Sequence, residues 1–156
     1  MVRFIGALVL LFVIAAPSLG QQSLVGTYRV ISHTTEIDGV PAEPMGFEVA
    51  PHGYVTFTPT RAMACYTAEK RQFGTSAAEK AALLDTMVGW SGTYRVEGNK
   101  LFLNIDVSWI EAWNGTTRAY TWQFSGNRLS LTSDPIPWLR DPSKKQIIRL
   151  VWQKVE

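Results

Sequence analysis

The sequence is poor in the residues that usually mark a metal or thiol centre. Its 156 residues include one cysteine, Cys65, and two histidines, His33 and His52. An internal disulfide is therefore excluded, and neither histidine lies in a recognisable thiol-enzyme motif. The chain also lacks HExxH, CxxC, GxSxG and phosphate-loop glycine motifs. We therefore predict no catalytic residue, metal site or cofactor, and we expect Cys65 to be a small buried apolar residue.

An excess of charge of one sign is also missing. The chain has 15 basic and 13 acidic residues. Arg3 is the only charged residue among residues 1–20, so the remaining chain has 14 basic and 13 acidic residues. Binding to nucleic acid needs a concentrated basic surface. The one dense cationic cluster, Lys144 and Lys145 with Arg140 and Arg149 nearby, is interpreted as a solvated loop. Nucleic acid is therefore not an expected partner.

The amino terminus has the pattern of a secretory signal. A short basic start containing Arg3 precedes an apolar run, 4–16, and small residues follow at Ser18 and Gly20. We predict a signal peptide over 1–20, one domain over 21–156, and a secreted or periplasmic location. The apolar run is short for a membrane-spanning helix, which needs about 20 residues. An uncleaved anchor is the alternative; after cleavage no stable membrane anchor is expected.

The rest of the chain alternates short β-type segments with turn signals. Gly98-Asn99 and Gly126-Asn127 are typical hairpin turns, and 41–53 and 134–143 are rich in proline and predicted to be loops. This spacing indicates a barrel or a sandwich. We predict an all-β fold, an antiparallel up-and-down barrel of about eight strands. The predicted strands are 24–35, 54–58, 62–66, 92–97, 100–108, 116–124, 128–132 and 146–154.

One segment has helical rather than strand periodicity. Ser76 and Glu79 form a capping-box pattern, and apolar residues follow at mostly helical spacing up to Gly89, a plausible stop. We predict one helix over about 76–88, covering one end or side of the barrel.

Strand alternation assigns side chains to the interior. Six tryptophans and five tyrosines are present. Arg118 shares a face with Tyr120, Trp122 and Phe124. It is either a cation at the rim of the core, stacked on a ring, or a cation that meets a ligand's carboxylate or carbonyl. The residues predicted to line the interior are Tyr28, Tyr54, Met63, Arg118, Tyr120, Trp122 and Trp152, with Trp109 and Trp113 near a rim. Leu101, Leu103, Ile105 and Val107 are predicted to share one face.

Acidic residues offer little evidence for catalysis. Asp106 and Glu111 are the nearest carboxylates in sequence, but a glycosidase pair must converge in a cleft, and spacing alone does not show that. An isomerase, cyclase or hydrolase using Arg118 and Asp106 as polar groups inside a barrel cavity remains an alternative function.

Several short segments resemble a bacterial lipocalin-like domain family. Gly26-Thr27-Tyr28 is similar to the Gly-x-Trp opening of lipocalin-type barrels, with tyrosine in place of tryptophan. Further matching segments are short and are spread over nearly all of the chain after residue 20. They are 24–28, 53–59, 91–94, 107–108, 113–115, 118–120, 127–131 and 150–152. The resemblance implies a closed antiparallel barrel with a small apolar interior.

These observations lead to one expected function and two alternatives. We expect an exported protein that binds a small, apolar or amphipathic molecule in a barrel cavity. The alternatives are the cavity enzyme and a filled barrel that acts through surface contacts with other proteins. The oligomeric state is left open.

Overall fold

The structure, a computed structural model, describes residues 23–156, so the predicted signal peptide lies outside the described residues. Its strands are β1 Gly26–Ile37, β2 Val40–Pro41, β3 Pro51–Phe57, β4 Arg61–Ala68, β5 Met87–Glu97, β6 Lys100–Ser108, β7 Thr117–Ser125, β8 Arg128–Ser133, β9 Ile136–Trp138 and β10 Asp141–Lys154. Its α-helix is α1, Ala77–Leu84, and two 3-10 turns cover Gly46–Glu48 and Glu111–Trp113. No helix in this described part is long and apolar enough to cross a membrane.

The sheet closes on itself. Eight long strands pair antiparallel in the order β1-β3-β4-β5-β6-β7-β8-β10, and β10 returns to pair with β1. The short β2 and β9 extend β1 and β10 at one end. The prediction of an antiparallel up-and-down barrel of eight main strands is confirmed. A barrel of this size is filled by side chains or holds one small ligand.

The inward face carries a continuous apolar and aromatic core. At the end of the barrel where β1 begins, Tyr28 packs edge-on against Phe57, with ring centroids 5.9 Å apart. Its hydroxyl donates to the Leu24 carbonyl oxygen at 2.8 Å, and burial raises the pKa of Tyr28 to about 12. This end is packed, and the opposite end holds the buried polar residues described below.

A β-bulge in β1 decides which residues reach the interior. Val30 pairs with Trp152 and Ser32 pairs with Val151, so Ile31 is an extra residue on β1. The bulge shifts the alternation by one position. His33 and Thr35 therefore face inward and are buried, although regular alternation from Val30 would have put Ser32 and Thr34 there.

A second bulge, in β6, overturns one predicted face. Ser91 pairs with Val107 and Gly92 with Ile105, so Asp106 is the extra residue. Val107 is therefore 64% exposed instead of sharing the buried face of Leu101, Leu103 and Ile105, and Ser108 is buried in its place. The predicted inward position of Val107 is wrong for this reason.

Three residues of β3 and β4 lie on the outer face, contrary to prediction. Tyr54 and Met63 are 50% and 47% exposed, and Cys65 is exposed. Val55, Phe57, Ala62, Ala64 and Tyr66 fill the inward positions of the same strands. The predicted interior positions of Tyr54 and Met63, and the predicted burial of Cys65, are wrong, because alternation places their neighbours inside.

The helix is shorter than predicted, and its side chains are not buried against the barrel. Ser76 caps α1 by accepting from the Glu79 backbone N–H at 3.2 Å, and the Glu79 carboxylate accepts from the Ser76 backbone N–H at 2.9 Å, as the capping box predicts. However, α1 ends at Leu84, and Met87 and Val88 already belong to β5. None of its residues is buried, so the prediction that the helix covers the barrel is wrong.

The two predicted loops contain regular structure. The 41–53 segment includes the Gly46–Glu48 turn and the beginning of β3, and 134–143 includes β9 and the beginning of β10. The Gly46–Glu48 turn contacts β1, β4 and β5. It therefore brings Phe47 and Glu48 to the polar end of the barrel, where both are buried.

Candidate functional site

A cleft opens at the polar end of the barrel. It consists of two adjoining spaces of about 90 Å³ and 270 Å³. Both are lined by Met45, Phe47, Ile110, Leu139 and Arg140. We call this combined space the mouth cleft. The smaller part also reaches His33, Trp113, Trp138, Gln146 and Ile148, and the larger part reaches Trp109. Its walls are mainly apolar, with one basic residue, Arg140, and one acidic residue, Asp85, in the larger part.

Below the mouth cleft lies a much smaller cavity, the inner chamber. Its volume is about 20 Å³, enough for about one water molecule. His33, Trp113 and Ile148 border both spaces, so these side chains separate the mouth cleft from the inner chamber. The rest of the lining is Tyr66, Trp90, Leu103, Ile105, Arg118, Tyr120, Leu150 and Trp152.

Another hollow, about 360 Å³, lies outside the barrel between α1 and the segment that follows β4. Exposed residues such as Lys70, Arg71 and Phe73 border it, and it is open to solvent. The buried polar groups converge at the inner chamber instead. Volume alone therefore does not identify the site.

Three buried groups form a chain beside the inner chamber. Nδ1 of His33 lies 2.7 Å from the Tyr66 hydroxyl, and Nε2 of His33 lies 3.5 Å from Oε1 of Glu48. A carboxylate facing Nε2 favours the tautomer that carries its proton there. With this tautomer, the Tyr66 hydroxyl donates a hydrogen bond to Nδ1 of His33. Within the described residues, Nε2 of His33 faces the Glu48 carboxylate without a hydrogen bond, so only the contact between His33 and Tyr66 is hydrogen-bonded.

Glu48 is held in place by two hydrogen bonds. The Thr35 hydroxyl donates to Oε1 at 2.6 Å, and the Met45 backbone N–H donates to Oε2 at 2.9 Å. Burial raises the pKa of Glu48, and both hydrogen bonds act in the opposite direction. A carboxylate fixed on both oxygens keeps a constant position relative to His33.

The environment keeps both His33 and Tyr66 neutral. Burial, with a further contribution from the charge of Arg118, lowers the pKa of His33 to about 3. Burial also raises the pKa of the Tyr66 hydroxyl well above its usual value, with smaller contributions from Tyr120 and Glu48. At neutral pH the imidazole therefore stays unprotonated and the phenol keeps its proton, so the two share a neutral hydrogen bond.

Arg118 brings a positive charge to the chamber. Its guanidinium carbon lies 4.4 Å from the centroid of the Trp113 ring. Burial raises the pKa of the Tyr120 hydroxyl, and the charge of Arg118 and its hydrogen bond to this hydroxyl act against that rise. Arg118 therefore stacks on a ring and borders the cavity, and its contact with a ligand stays a prediction.

The chamber has more hydrogen-bond donors than acceptors to pair with them. Within residues 23–156, the buried Nε of Arg118 and the indole nitrogens of Trp113 and Trp152 have no hydrogen-bond partner. All three residues border the inner chamber. These three donors can pair with acceptor atoms that enter the chamber.

The predicted interior residues fall into three groups. Arg118, Tyr120 and Trp152 border the inner chamber, Trp113 borders both spaces, and Trp109 borders the mouth cleft. Tyr28 and Trp122 are buried but border neither space. Tyr54 and Met63 point away from the interior, as described above. A role in ligand binding stays a prediction for all nine.

The carboxylates singled out in the sequence lie outside the barrel. Arg61 donates to both oxygens of Asp106, at 2.8 and 2.7 Å, and both side chains are partly exposed. Glu111 is exposed and accepts from the Asn114 side chain. Asp106 therefore cannot act as a polar group inside the cavity, because it lies on the outer face of β6, paired with Arg61. No group of three or more His, Cys, Asp or Glu side chains in the described range is arranged to hold a metal ion.

The sequence analysis missed His33, Thr35, Glu48 and Tyr66 as site residues. Tyr66 could have been found, since it shares its inward face with Ala62 and Ala64 on β4. His33 and Thr35 depend on the β1 bulge, and Glu48 comes from a segment predicted to be a loop. No local pattern indicated that they meet.

Comparison with known proteins agrees with this architecture. A family model for a lipocalin-like domain matches residues 25–155, nearly all of the described part of the chain. No curated protein matches the sequence.

Proposed function

The chain belongs to the lipocalin-like domain family, and we propose that it is an exported protein that binds a small amphipathic molecule at the open end of its barrel. The apolar body of this ligand lies in the mouth cleft. Its polar head, a carboxylate or a carbonyl oxygen, enters the inner chamber and accepts hydrogen bonds there.

The observation that carries this proposal is the set of unpaired donors around the inner chamber. The Arg118 Nε and the two indole nitrogens of Trp113 and Trp152 are buried without a partner in the described part of the chain, and Arg118 is charged. A carboxylate or carbonyl supplies only acceptor lone pairs, so it matches this environment. An ammonium head would bring further hydrogen-bond donors and would place its positive charge beside that of Arg118.

The volumes set the size of the ligand. A chamber of about 20 Å³ has room for about one water-sized group, so a single oxygen of the head enters it. The mouth cleft, with Met45, Phe47 and Leu139 on its walls, offers about 90 Å³ in its deeper part and continues outward. Such a site fits a compact apolar group, for example one aromatic ring.

The first test compares three compounds that share one apolar body. We expect 4-phenylbutanoate to bind more tightly than its methyl ester, and the ester more tightly than 4-phenylbutylamine. Titration calorimetry measures the three affinities. Equal affinities, or preference for the amine, would contradict a carboxylate site, and no binding by any of the three would favour the filled-barrel alternative.

The second test removes the charge of Arg118. In Arg118→Leu the loss of a hydrogen bond to a charged group should weaken 4-phenylbutanoate binding by about 1.5–3 kcal/mol, or roughly 10-fold to 150-fold. Arg118→Lys keeps the charge and loses the planar guanidinium. Its affinity for 4-phenylbutanoate should therefore lie between those of the parent and the leucine variant. Titration calorimetry again gives the affinities.

Arg95 provides a matched control for Arg118. It also stacks on a ring, with its guanidinium carbon 4.0 Å from the Phe102 centroid, but it is exposed and pairs with Glu97. Arg95→Leu should bind 4-phenylbutanoate as the parent does. If Arg118→Leu lowers thermal stability without changing affinity, Arg118 is a structural residue only.

Export is a separate part of the proposal and rests on the pattern of residues 1–20. We expect the protein recovered outside the cytoplasm to lack these residues and to begin at Gln21, since small residues occupy the positions read by signal peptidase. Intact-mass spectrometry of protein from the culture medium or the periplasm measures this. A full-length mass in the membrane fraction would instead support the uncleaved anchor.

A further inference from the structure

We propose that the inner chamber is a binding site for a single halide ion, which the guanidinium of Arg118 and the indole N–H groups of Trp113 and Trp152 hold together. This inference goes beyond the proposed function, because a halide needs the chamber alone and makes no use of the mouth cleft. The ligand class is the monatomic anions, and chloride is the member that proteins meet at the highest concentration.

The size of the chamber limits its occupant to one small ion or molecule. Its volume is about 20 Å³, enough for about one water molecule. Chloride is only slightly larger than a water molecule, whereas sulfate, phosphate and a whole carboxylate group each contain several heavy atoms. The chamber therefore selects a monatomic anion over polyatomic anions by volume.

The lining of the chamber carries one positive charge and no acidic residue. Arg118 is the cation, and the other lining residues are His33, which burial keeps neutral, and aromatic or aliphatic side chains. Arg118 is partly buried and takes part in none of the ion pairs of the described residues. The nearest buried carboxylate, that of Glu48, faces His33 and does not border the chamber. An anion in the chamber therefore supplies a counter-ion to the guanidinium.

Three donors around the chamber favour an anion over a water molecule. In the described part of the chain, Nε of Arg118 and the indole nitrogens of Trp113 and Trp152 are buried without a hydrogen-bond partner. The two tryptophans are 8% and 1% exposed, so bulk solvent does not reach them. Guanidinium and indole groups can only donate. A halide accepts from all three donors at once, whereas a water molecule has two lone pairs and brings two protons that need acceptors.

The test uses chloride itself as the probe. The purified protein is kept in sodium gluconate, and sodium chloride replaces part of the gluconate at constant ionic strength. Chloride-35 NMR then records the line width, which increases when free chloride exchanges with a bound state. We expect a saturable increase. Bromide should displace the bound chloride, whereas sulfate at the same ionic strength should not, because the chamber is too small for it.

Two variants remove different parts of the site. Arg118→Gln keeps hydrogen-bond donors and removes the charge, and Trp152→Phe removes one indole N–H while keeping an aromatic ring. Each should weaken chloride binding by about 10-fold or more, the effect of losing a hydrogen bond to a charged group. Circular dichroism verifies that each variant is folded, and if one of them does not fold, the other decides.

The chain offers a matched control for each variant. The indole nitrogen of Trp122 is also buried without a partner among the described residues, but Trp122 borders neither the mouth cleft nor the inner chamber. Arg95 is exposed and pairs with Glu97. Trp122→Phe and Arg95→Gln should therefore bind chloride as the parent does.

Competition with the larger ligand gives a second measurement. A halide and one oxygen of the ligand head cannot share a chamber of this size. Chloride should therefore weaken the binding of 4-phenylbutanoate relative to gluconate at equal ionic strength, as measured by titration calorimetry. Equal affinities in the two salts, with binding that depends on Arg118, would show that chloride does not occupy the chamber and would overturn the inference.

The outcomes separate this inference from the proposed function. Broadening that is unchanged in the folded Arg118→Gln and Trp152→Phe variants would come from ions at the surface only and would overturn the halide site. Absence of saturable broadening, or equal displacement by sulfate, would overturn it as well and leave the binding of 4-phenylbutanoate intact. If chloride binds and 4-phenylbutanoate does not, the proposed function fails and the halide site stands. Weaker chloride binding in both variants, with the controls unchanged, supports the inference.

Discussion

Between pH 6.5 and pH 4.5, the free energy of unfolding is expected to fall by on the order of 1.4 kcal/mol per pH unit because of His33. In the folded protein the pKa of His33 is lowered to about 3 from an ordinary 6.5. Below pH 6.5 the unfolded chain therefore binds a proton that the folded chain does not. The free energy of unfolding continues to fall until the pH approaches the pKa of His33 in the folded protein. Urea unfolding at a series of pH values measures it.

Above pH 4.5 His33 is separated from the carboxylates whose pKa is lowered, but not from Glu48, whose pKa is raised. Glu36 and Asp106 have a lowered pKa through their arginine partners, so their contributions are lost at more acid pH. Glu48 acts with the opposite sign: its raised pKa means that the folded state holds the proton more tightly, so protonation of Glu48 favours folding as the pH falls. The steepest dependence should therefore lie between pH 6.5 and the titration of Glu48.

The two histidines of the chain allow a direct control. His33→Gln removes the buried imidazole and should flatten the dependence in this window, even if the variant is less stable at pH 7. His52→Gln changes an exposed residue and should keep the slope of the parent. An unchanged slope in His33→Gln would show that another group causes the acid sensitivity.

Trp152→Ala is expected to lower the free energy of unfolding by about 3–5 kcal/mol, the usual cost of truncating a buried tryptophan. Trp152 is 1% exposed. It lies between Val30 on β1 and Leu129 on β8, at the seam where β10 closes the barrel, and its ring is 6.1 Å from that of Phe57. Denaturant unfolding followed by circular dichroism gives the value.

Trp138→Ala is the control for Trp152→Ala. Trp138 lies on the short β9, is partly exposed and contributes to the mouth cleft rather than to the closure of the barrel. Its truncation should cost clearly less stability. Equal losses in the two variants would mean that the seam between β1, β8 and β10 is not the dominant part of the core.

Much of the barrel follows from local sequence patterns. Gly98 and Gly126 have φ of +59° and +60°, conformations that glycine adopts readily, and the hairpins β5–β6 and β7–β8 turn at these residues as predicted. Simple alternation correctly places Tyr120, Trp122, Leu150 and Trp152 inside. These features depend on neighbours in sequence, and a sequence displays them directly.

The buried polar site depends on contacts that no local pattern encodes. An extra residue in β1 turns His33 and Thr35 inward, and an extra residue in β6 turns Val107 outward and Ser108 inward. Each bulge is visible only against the partner strand, because the same residues read as regular alternation until the pairing is known.

The sequence by itself determined the fold class, the main turns, the capped start of α1 and the inward row that begins at Arg118. Only the tertiary structure brought Glu48, from a segment without strand or helix periodicity, to His33 and Tyr66. Barrel closure juxtaposes residues far apart in the chain, and the bulges fix which of them face the same cavity. The periodicity of a sequence shows which side chains share a face of one strand. The site also depends on the register between several strands, which decides which of those side chains meet.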